Sequence, residues 1–222
     1  MAGNFIVAID GPAGAGKSTI AKMVAAKLGF SYIDTGAMYR AIALKSLNMD
    51  VIDDKDAIEK VAETIDIAFK PDGEINRVFT DGEEVTEKIR TVEVSNQASF
   101  VSGLAGVRSA MLGKQRELGD TGSVVMDGRD VGTCIFPNAD VKVFLTASSI
   151  ERARRRYIEL VAKGDKIEIK ELQKEIDARD KADSERAIAP LKKADDAVEI
   201  DSTKLSIQQT ADMIMGLVKD KQ

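Results

Sequence analysis

Asp10-Gly11-Pro12-Ala13-Gly14-Ala15-Gly16-Lys17-Ser18-Thr19 follows the apolar run Phe5 to Ile9 and precedes a helical pattern. The order strand, glycine-rich loop, helix opens an α/β fold built on a parallel sheet with flanking helices. Gly11 and Gly16-Lys17-Ser18 fill the spacing G-x-x-x-x-G-K-[ST], in which small residues let backbone N–H groups curl around a polyphosphate. On this reading Lys17 neutralises the β and γ phosphates and Ser18 places its hydroxyl on Mg²⁺. The helix N-terminus that follows adds unpaired N–H groups and a favourable dipole. The bland alternative is a glycine turn that binds nothing, and the complete motif with correct flanks argues against it.

A chain of 222 residues suits a single α/β domain with insertions. No apolar run is long enough to span a bilayer. Met1-Ala2-Gly3-Asn4 lacks the basic and apolar regions of a signal peptide, so a soluble, cytoplasmic protein is expected. The one cysteine, Cys134, excludes an internal disulfide and a Cys-rich zinc site. The absence of histidine removes Ser-His-Asp and Cys-His catalysis together with the commonest zinc ligand. Chemistry here must run on Lys, Arg, Asp and a borrowed metal. A net charge of -5 argues against a nucleic-acid-binding surface.

Ile20, Val24 and Leu28 recur four apart and Gly29 follows, which predicts the first crossover helix and its stop. Phe30 to Asp34 reads as a second strand, and Thr35 is expected to cap a helix running through Ser46 that carries Tyr39 and Arg40 next to the strand end. After a helix over 56–65 the texture changes to short strand-like runs at 65–69, 75–80 and 83–85, separated by Pro71-Asp72-Gly73 and Asp81-Gly82. Asp-Gly between such runs signals a hairpin, which parallel sheets do not need. An inserted antiparallel subdomain over about 63–94 follows from this. Helices are expected over 94–102 and 107–118, broken at Gly103 and stopped by Gly119, with Ser99 and Arg108 on them. Ser123 to Met126 and Val141 to Leu145 read as buried strands. Ser148 or Ser149 caps a helix holding Arg152, Arg154, Arg155 and Arg156, interrupted at Gly164-Asp165. A further helix is expected over 169–187, a last strand over 197–200, and a Ser206/Gln209 capping box before the terminal helix.

Asp127 ends an apolar strand, which places a carboxylate near Mg²⁺ across from the loop, although it could merely cap a turn. Gly128 follows, where water-activating ATPases want glutamate, so transfer to a bound acceptor is favoured over hydrolysis. Arg152 and Arg156 share a helix face and could cover adenine or bridge the transferring phosphate, or could pair with Glu151 and Glu159 on a solvated helix. Arg179, Asp183 and Arg186 fall on one helical face, either as an anion and sugar site or as a salt-bridge ladder.

Taken together, the loop, Asp34-Thr35-Gly36-Ala37-Met38-Tyr39-Arg40, Asp127-Gly128-Arg129-Asp130-Val131-Gly132-Thr133 and Arg186-Ala187-Ile188-Ala189-Pro190-Leu191 closely resemble the bacterial cytidylate kinases, nearly along the whole chain. The resemblance implies a single P-loop NTPase domain over 1–222, with an acceptor-binding insertion and a short helical lid at about 152–167. It implies transfer of the ATP γ-phosphate to CMP or dCMP with Mg²⁺, by a monomer that binds neither nucleic acid nor membrane. The donor would sit on Gly11, Pro12, Ala13, Gly14, Ala15, Gly16, Lys17, Ser18 and Thr19, the metal on Ser18 and Asp127, and the catalytic charges on Lys17, Arg129, Arg152 and Arg156. Arg40, Arg129 and Arg186 would hold the acceptor phosphate, and Asp183 with Arg179 the ribose. Ser99, Arg108 and Asp130 would face cytosine, with Asp34, Thr35 and Tyr39 lining the pocket. A small-molecule kinase of the shikimate type and a GTP-dependent switch are the competing readings. The second lacks its Asn-Lys-x-Asp signal, because Thr203-Lys204-Leu205-Ser206 has no aspartate.

Overall fold

The computed structural model describes residues 4–72, 75–162, 164 and 167–222. In chain order these form β1 (Ile6–Asp10), α1 (Lys17–Leu28), β2 (Ser31–Asp34), α2 (Thr35–Asn48), α3 (Lys55–Thr64), β3 (Ile67–Asp72), β4 (Ile75–Thr80) and β5 (Glu83–Glu84). A 3-10 turn (Lys88–Arg90), α4 (Val92–Val101), α5 (Ala105–Asp120), β6 (Val124–Gly128) and a π-helical turn (Val131–Ile135) follow. The chain then runs through β7 (Val141–Thr146), α6 (Ser149–Ala162), α7 (Ile169–Ser184), β8 (Val198–Asp201) and α8 (Ile207–Lys219). Five strands take the order β2-β6-β1-β7-β8, and a separate antiparallel sheet has the order β3-β4-β5. The chain divides into two compact units, one holding Phe30–Val124 and the other Phe5–Gly29 with Val125–Gln222.

The second unit is built on β1 and β7, which pair in parallel with Val7 opposite Val141, and on β8, which pairs with β7 in the same sense. Val7, Ala8 and Ile9 of β1 and Val125 and Met126 of β6 are all fully buried, as strands covered on both faces must be. The glycine-rich loop leaves the end of β1 and enters α1, which Gly29 closes in the left-handed conformation, as expected. Helices α6 and α7 pack on a small core of their own, formed by Ala153, Leu160, Leu172 and Ile176 with Tyr157 and Ile167 against it.

In the first unit, Met38 and Ile42 of α2, Ile58 of α3 and Met111 of α5 lie in one core with Ile65 and Ile89. The antiparallel strands close through Asp81 and Gly82, both with positive φ (51° and 84°), the conformation an Asp-Gly hairpin requires. Gly73, assigned to the preceding turn, lies outside the described residues.

Several expected boundaries move. Asp34, not Thr35, caps α2: its carboxylate accepts the Ala37 amide at 2.8 Å, and Thr35 is already helical. Gly119 does not stop α5, which continues to Asp120, because one glycine lowers helix stability without ending a helix. The helix expected to reach Ala187 ends at Ser184, so Arg186 lies beyond α7. Gly164 has a φ of 92°, consistent with an interruption after α6, whereas Lys163, Asp165 and Lys166 of the expected lid lie outside the described residues.

Candidate active site

Backbone conformation shapes the loop first. Gly11 has a φ of 148°, and a Cβ there would stand 2.0 Å from the Leu145 carbonyl oxygen, so only glycine lets β1 turn this close to β7. Gly16 precedes α1 in the left-handed conformation, and no acidic residue occupies the first turn of the helix. The positive end of α1 therefore faces the loop without a carboxylate of its own. Lys17 is buried at the start of that helix and donates to the Pro12 carbonyl at 2.7 Å. Burial, and then the Arg129 guanidinium, push its pKa down to about 7, with Arg179 adding to the fall and Asp127 and Asp10 opposing it. Positive charge from Lys17, Arg129 and Arg179 is thus concentrated at one place. Thr19, the last loop residue, is exposed.

Ser18 Oγ donates to Asp127 Oδ2 at 3.0 Å, so the hydroxyl and carboxylate assigned to the metal are neighbours. Both are hard oxygen groups, which fits Mg²⁺, an ion that takes one or two protein ligands and fills its octahedron with phosphate oxygens and water.

Arg152 reaches the loop from α6. Its guanidinium is buried, donating to the Ala147 and Ala13 carbonyls at 2.9 Å and pairing with Asp180. Asp180 in turn accepts the Ala13 amide at 3.1 Å, so the two side chains grip both backbone groups of one loop residue. Arg156 is half-exposed and pairs with Glu159 at 3.2 Å.

Asp183 on α7 gathers the later arginines. Arg129 Nε donates to it at 2.9 Å while Arg129 Nη1 bonds the Gly128 carbonyl, which fixes the plane of that guanidinium. Arg186 approaches the other Asp183 oxygen at 3.6 Å from beyond the helix end. Asp130 is buried just after β6.

The remaining assigned residues belong to the first unit. Arg40 pairs with Asp34 at 2.8 Å, and its Nε is buried without a hydrogen-bond partner among the described residues. Burial favours the neutral Asp34 carboxyl, but Arg40, the Ala37 amide and Arg90 hold it below the usual carboxylate range. Thr35 and Tyr39 are buried beside them in sequence. The Arg108 guanidinium lies 5.6 Å from the centre of the Tyr39 ring and donates to the Ser102 carbonyl at 3.2 Å. Ser102 Oγ bonds the Ser99 carbonyl at 3.0 Å, so Tyr39, Ser99 and Arg108 come together.

Two contributors escaped the sequence reading: Asp10 reaches the amides of Val131 and Gly132, and Asp180 reaches Ala13. Arg155, on the same helix as Arg152 and Arg156, donates to the Ser202 hydroxyl at 3.1 Å and to its carbonyl at 2.8 Å. The partners of Asp10 and Asp180 are more than one hundred positions away in the chain, and no local pattern signals them. Asp10 stands just before the motif, and its position at the end of β1 is the one local cue.

The sequence model of one protein family, described as cytidylate kinase, matches residues 7–220. A relative named cytidylate kinase from Bacillus licheniformis is 51% identical over 224 residues, covering 100% of this chain and 99% of the relative. Another of that name, from Bacillus subtilis, is 52% identical over 218 residues, covering 97% and 96% respectively. Among solved structures, an uncharacterized protein from Eubacterium ventriosum aligns with a TM-score of 0.53 at 13% identity, over 98% of this chain and 99% of that one, a likeness of fold alone. Matched from Val7 to Asp220 by the family's own pattern and half identical to relatives of the same length, the chain belongs to the cytidylate kinase family.

Proposed function

We propose that this chain, acting as a cytoplasmic monomer, transfers the γ-phosphoryl group of ATP in line to the phosphate of CMP or dCMP. The observation that carries the reading is the gathering of Lys17, Arg129 and Arg179 at a loop that opens onto the N-terminus of α1, with the Ser18 hydroxyl bonded to Asp127. Phosphoryl transfer spreads charge over the equatorial oxygens, and fixed cations stabilise that charge without a general base. A bound polyanion favours the charged form of Lys17, which burial first and then the neighbouring guanidiniums oppose. The Ser18 hydroxyl and the Asp127 carboxylate would hold Mg²⁺, whose chemistry there would be to supply positive charge against the charge developing on the phosphates.

Arg129 and Arg186, oriented by Asp183, bind the acceptor phosphate together with Arg40, whose buried Nε has no hydrogen-bond partner among the described residues. Arg179 and Asp183 meet the ribose. Cytosine offers an amino donor at N4 and acceptors at N3 and O2. Asp130 takes the first, and Arg108 with the Ser99 hydroxyl meets the others. Arg152 braces the loop at Ala13, and Arg156, the more exposed of the two, approaches the nucleotide.

A coupled assay of ADP release tests the reading. With Mg²⁺ and ATP, release should require CMP or dCMP, whereas release that ignores CMP would contradict it.

A further inference from the structure

Two side chains hold the glycine-rich loop from outside. Asp180 Oδ1 on α7 accepts the Ala13 amide at 3.1 Å, and Asp180 Oδ2 pairs with Arg152 of α6, whose Nη1 returns to the Ala13 carbonyl at 2.9 Å. Both backbone groups of Ala13 are therefore fixed through one ion pair. Arg152 is buried and anchored in turn, because its Nε donates to the Ala147 carbonyl just beyond β7. The next loop residue leaves little slack: a Cβ on Gly14 would stand 3.2 Å from Arg152 Cβ. Asp180→Asn would leave one acceptor oxygen in place of two, and that oxygen serves the amide or the guanidinium but not both.

Asp180 lies one helical turn before Asp183, so the two carboxylates share a face of α7. Asp183 is buried and takes Arg129 Nε at 2.9 Å, with Arg186 at 3.6 Å from its other oxygen. The turn between them is tied from both sides. Ser184 Oγ donates to the Asp180 carbonyl at 2.8 Å, and Leu191, on the chain that follows the helix, donates its amide to the Asp183 carbonyl at 2.8 Å. All of these residues belong to the second unit. One braced turn thus carries the clamp on the loop at one end and the ion pairs of Arg129 and Arg186 at the other. A phosphate on Arg129 competes with Asp183 for the same guanidinium, which changes the load on α7 within a turn of the clamp.

We propose that Asp180 is a positioning residue that couples the two substrates: through α7 it passes occupation of the acceptor site to Ala13, so that CMP tightens the hold of the loop on ATP. The inference rests on the reading above, in which the loop holds ATP while Arg129 and Asp183 meet CMP. Coupling between two ligands is reciprocal, so ATP tightens CMP by the same factor.

Calorimetric titration with Mg²⁺ and a non-hydrolysable ATP analogue measures that factor, as the ratio of the analogue Kd without CMP to that with saturating CMP. In the wild type the ratio should be about fivefold or more, and the Kd for CMP should fall by the same factor when the analogue is present. In Asp180→Asn the ratio should drop to within about twofold of one, while the Kd for CMP alone stays within about twofold of the wild-type value. A merely structural role for Asp180 would weaken the analogue equally with and without CMP and leave the ratio unchanged. That outcome overturns the inference and leaves the functional reading intact, as does a wild type that binds both ligands without coupling. A wild type that binds no CMP overturns both. A measurement free of variants follows the amide resonance of Ala13: CMP alone should shift it in the wild type, and a resonance that ignores saturating CMP would refute the proposal.

Discussion

Lys17 is placed by backbone geometry more than by its own preferences. Gly11 and Gly16 set the loop, α1 begins at Lys17, and the side chain folds back to the Pro12 carbonyl in a buried position. Replacing it with alanine removes the central charge of a preorganised cluster without changing the loop glycines. Lys17→Ala should therefore keep the circular dichroism spectrum of the wild type while kcat falls by about 10² to 10³. A folded variant with near wild-type turnover would remove Lys17 from the reaction. Asp10 makes a prediction of the opposite kind, about stability. Its folded pKa is raised to about 6 from an ordinary 3.8, so its favourable contribution is complete below the unfolded value and is lost as pH rises through about 6. That loss is about 3 kcal/mol across the window. Thermal melts of wild type and Asp10→Asn should diverge in favour of the asparagine variant between pH 4.5 and pH 7, with no further change above. A constant difference across that range would show that the carboxyl titrates as an ordinary one. The loop and the arginines were legible in the sequence because motifs are local. Asp10 and Asp180 were not, since each earns its role only when distant segments fold together.

Helices α6 and α7 form a unit whose apolar core is thin, with Ala153, Leu160, Leu172 and Ile176 at its centre. Elements with so few buried contacts open at low free energy, which suits a segment that closes over substrate and excludes water. Hydrogen exchange in residues 152–162 and 167–176 should slow when ATP and CMP are added together. Equal exchange with and without the nucleotides would rule out a lid here. The base of the pair is tied down where the arginine and Asp180 grip Ala13, so protection should grow toward the α6 C-terminus, which lies farthest from that anchor. Strand and helix order was readable because apolar periodicity and Asp-Gly turns are short-range signals. The end of α7 was not. Arg186 continued the helical spacing with Arg179 and Asp183, but the chain leaves the helix after Ser184 and still reaches Asp183, so a face inferred from spacing was met by a different backbone path.

Across the whole molecule, the proposed acceptor residues are divided between the units: Asp34, Thr35, Tyr39, Arg40, Ser99 and Arg108 belong to Phe30–Val124, and Arg129, Asp130, Arg179, Asp183 and Arg186 to the other. The donor loop lies wholly in the second unit. Among the described residues no helix is long and apolar enough to cross a membrane. A net charge of -5 is carried by a chain that nevertheless concentrates lysine and arginine at one loop, a contrast that suits small polyanionic substrates better than an extended one. The fate of the phosphoryl group is the most direct test of the central claim. With γ-labelled ATP, Mg²⁺ and CMP, the label should appear in CDP at the rate ADP forms, and Lys17→Ala should slow both by the same factor. Label recovered as inorganic phosphate, or transferred to UMP as readily as to CMP, would contradict the account.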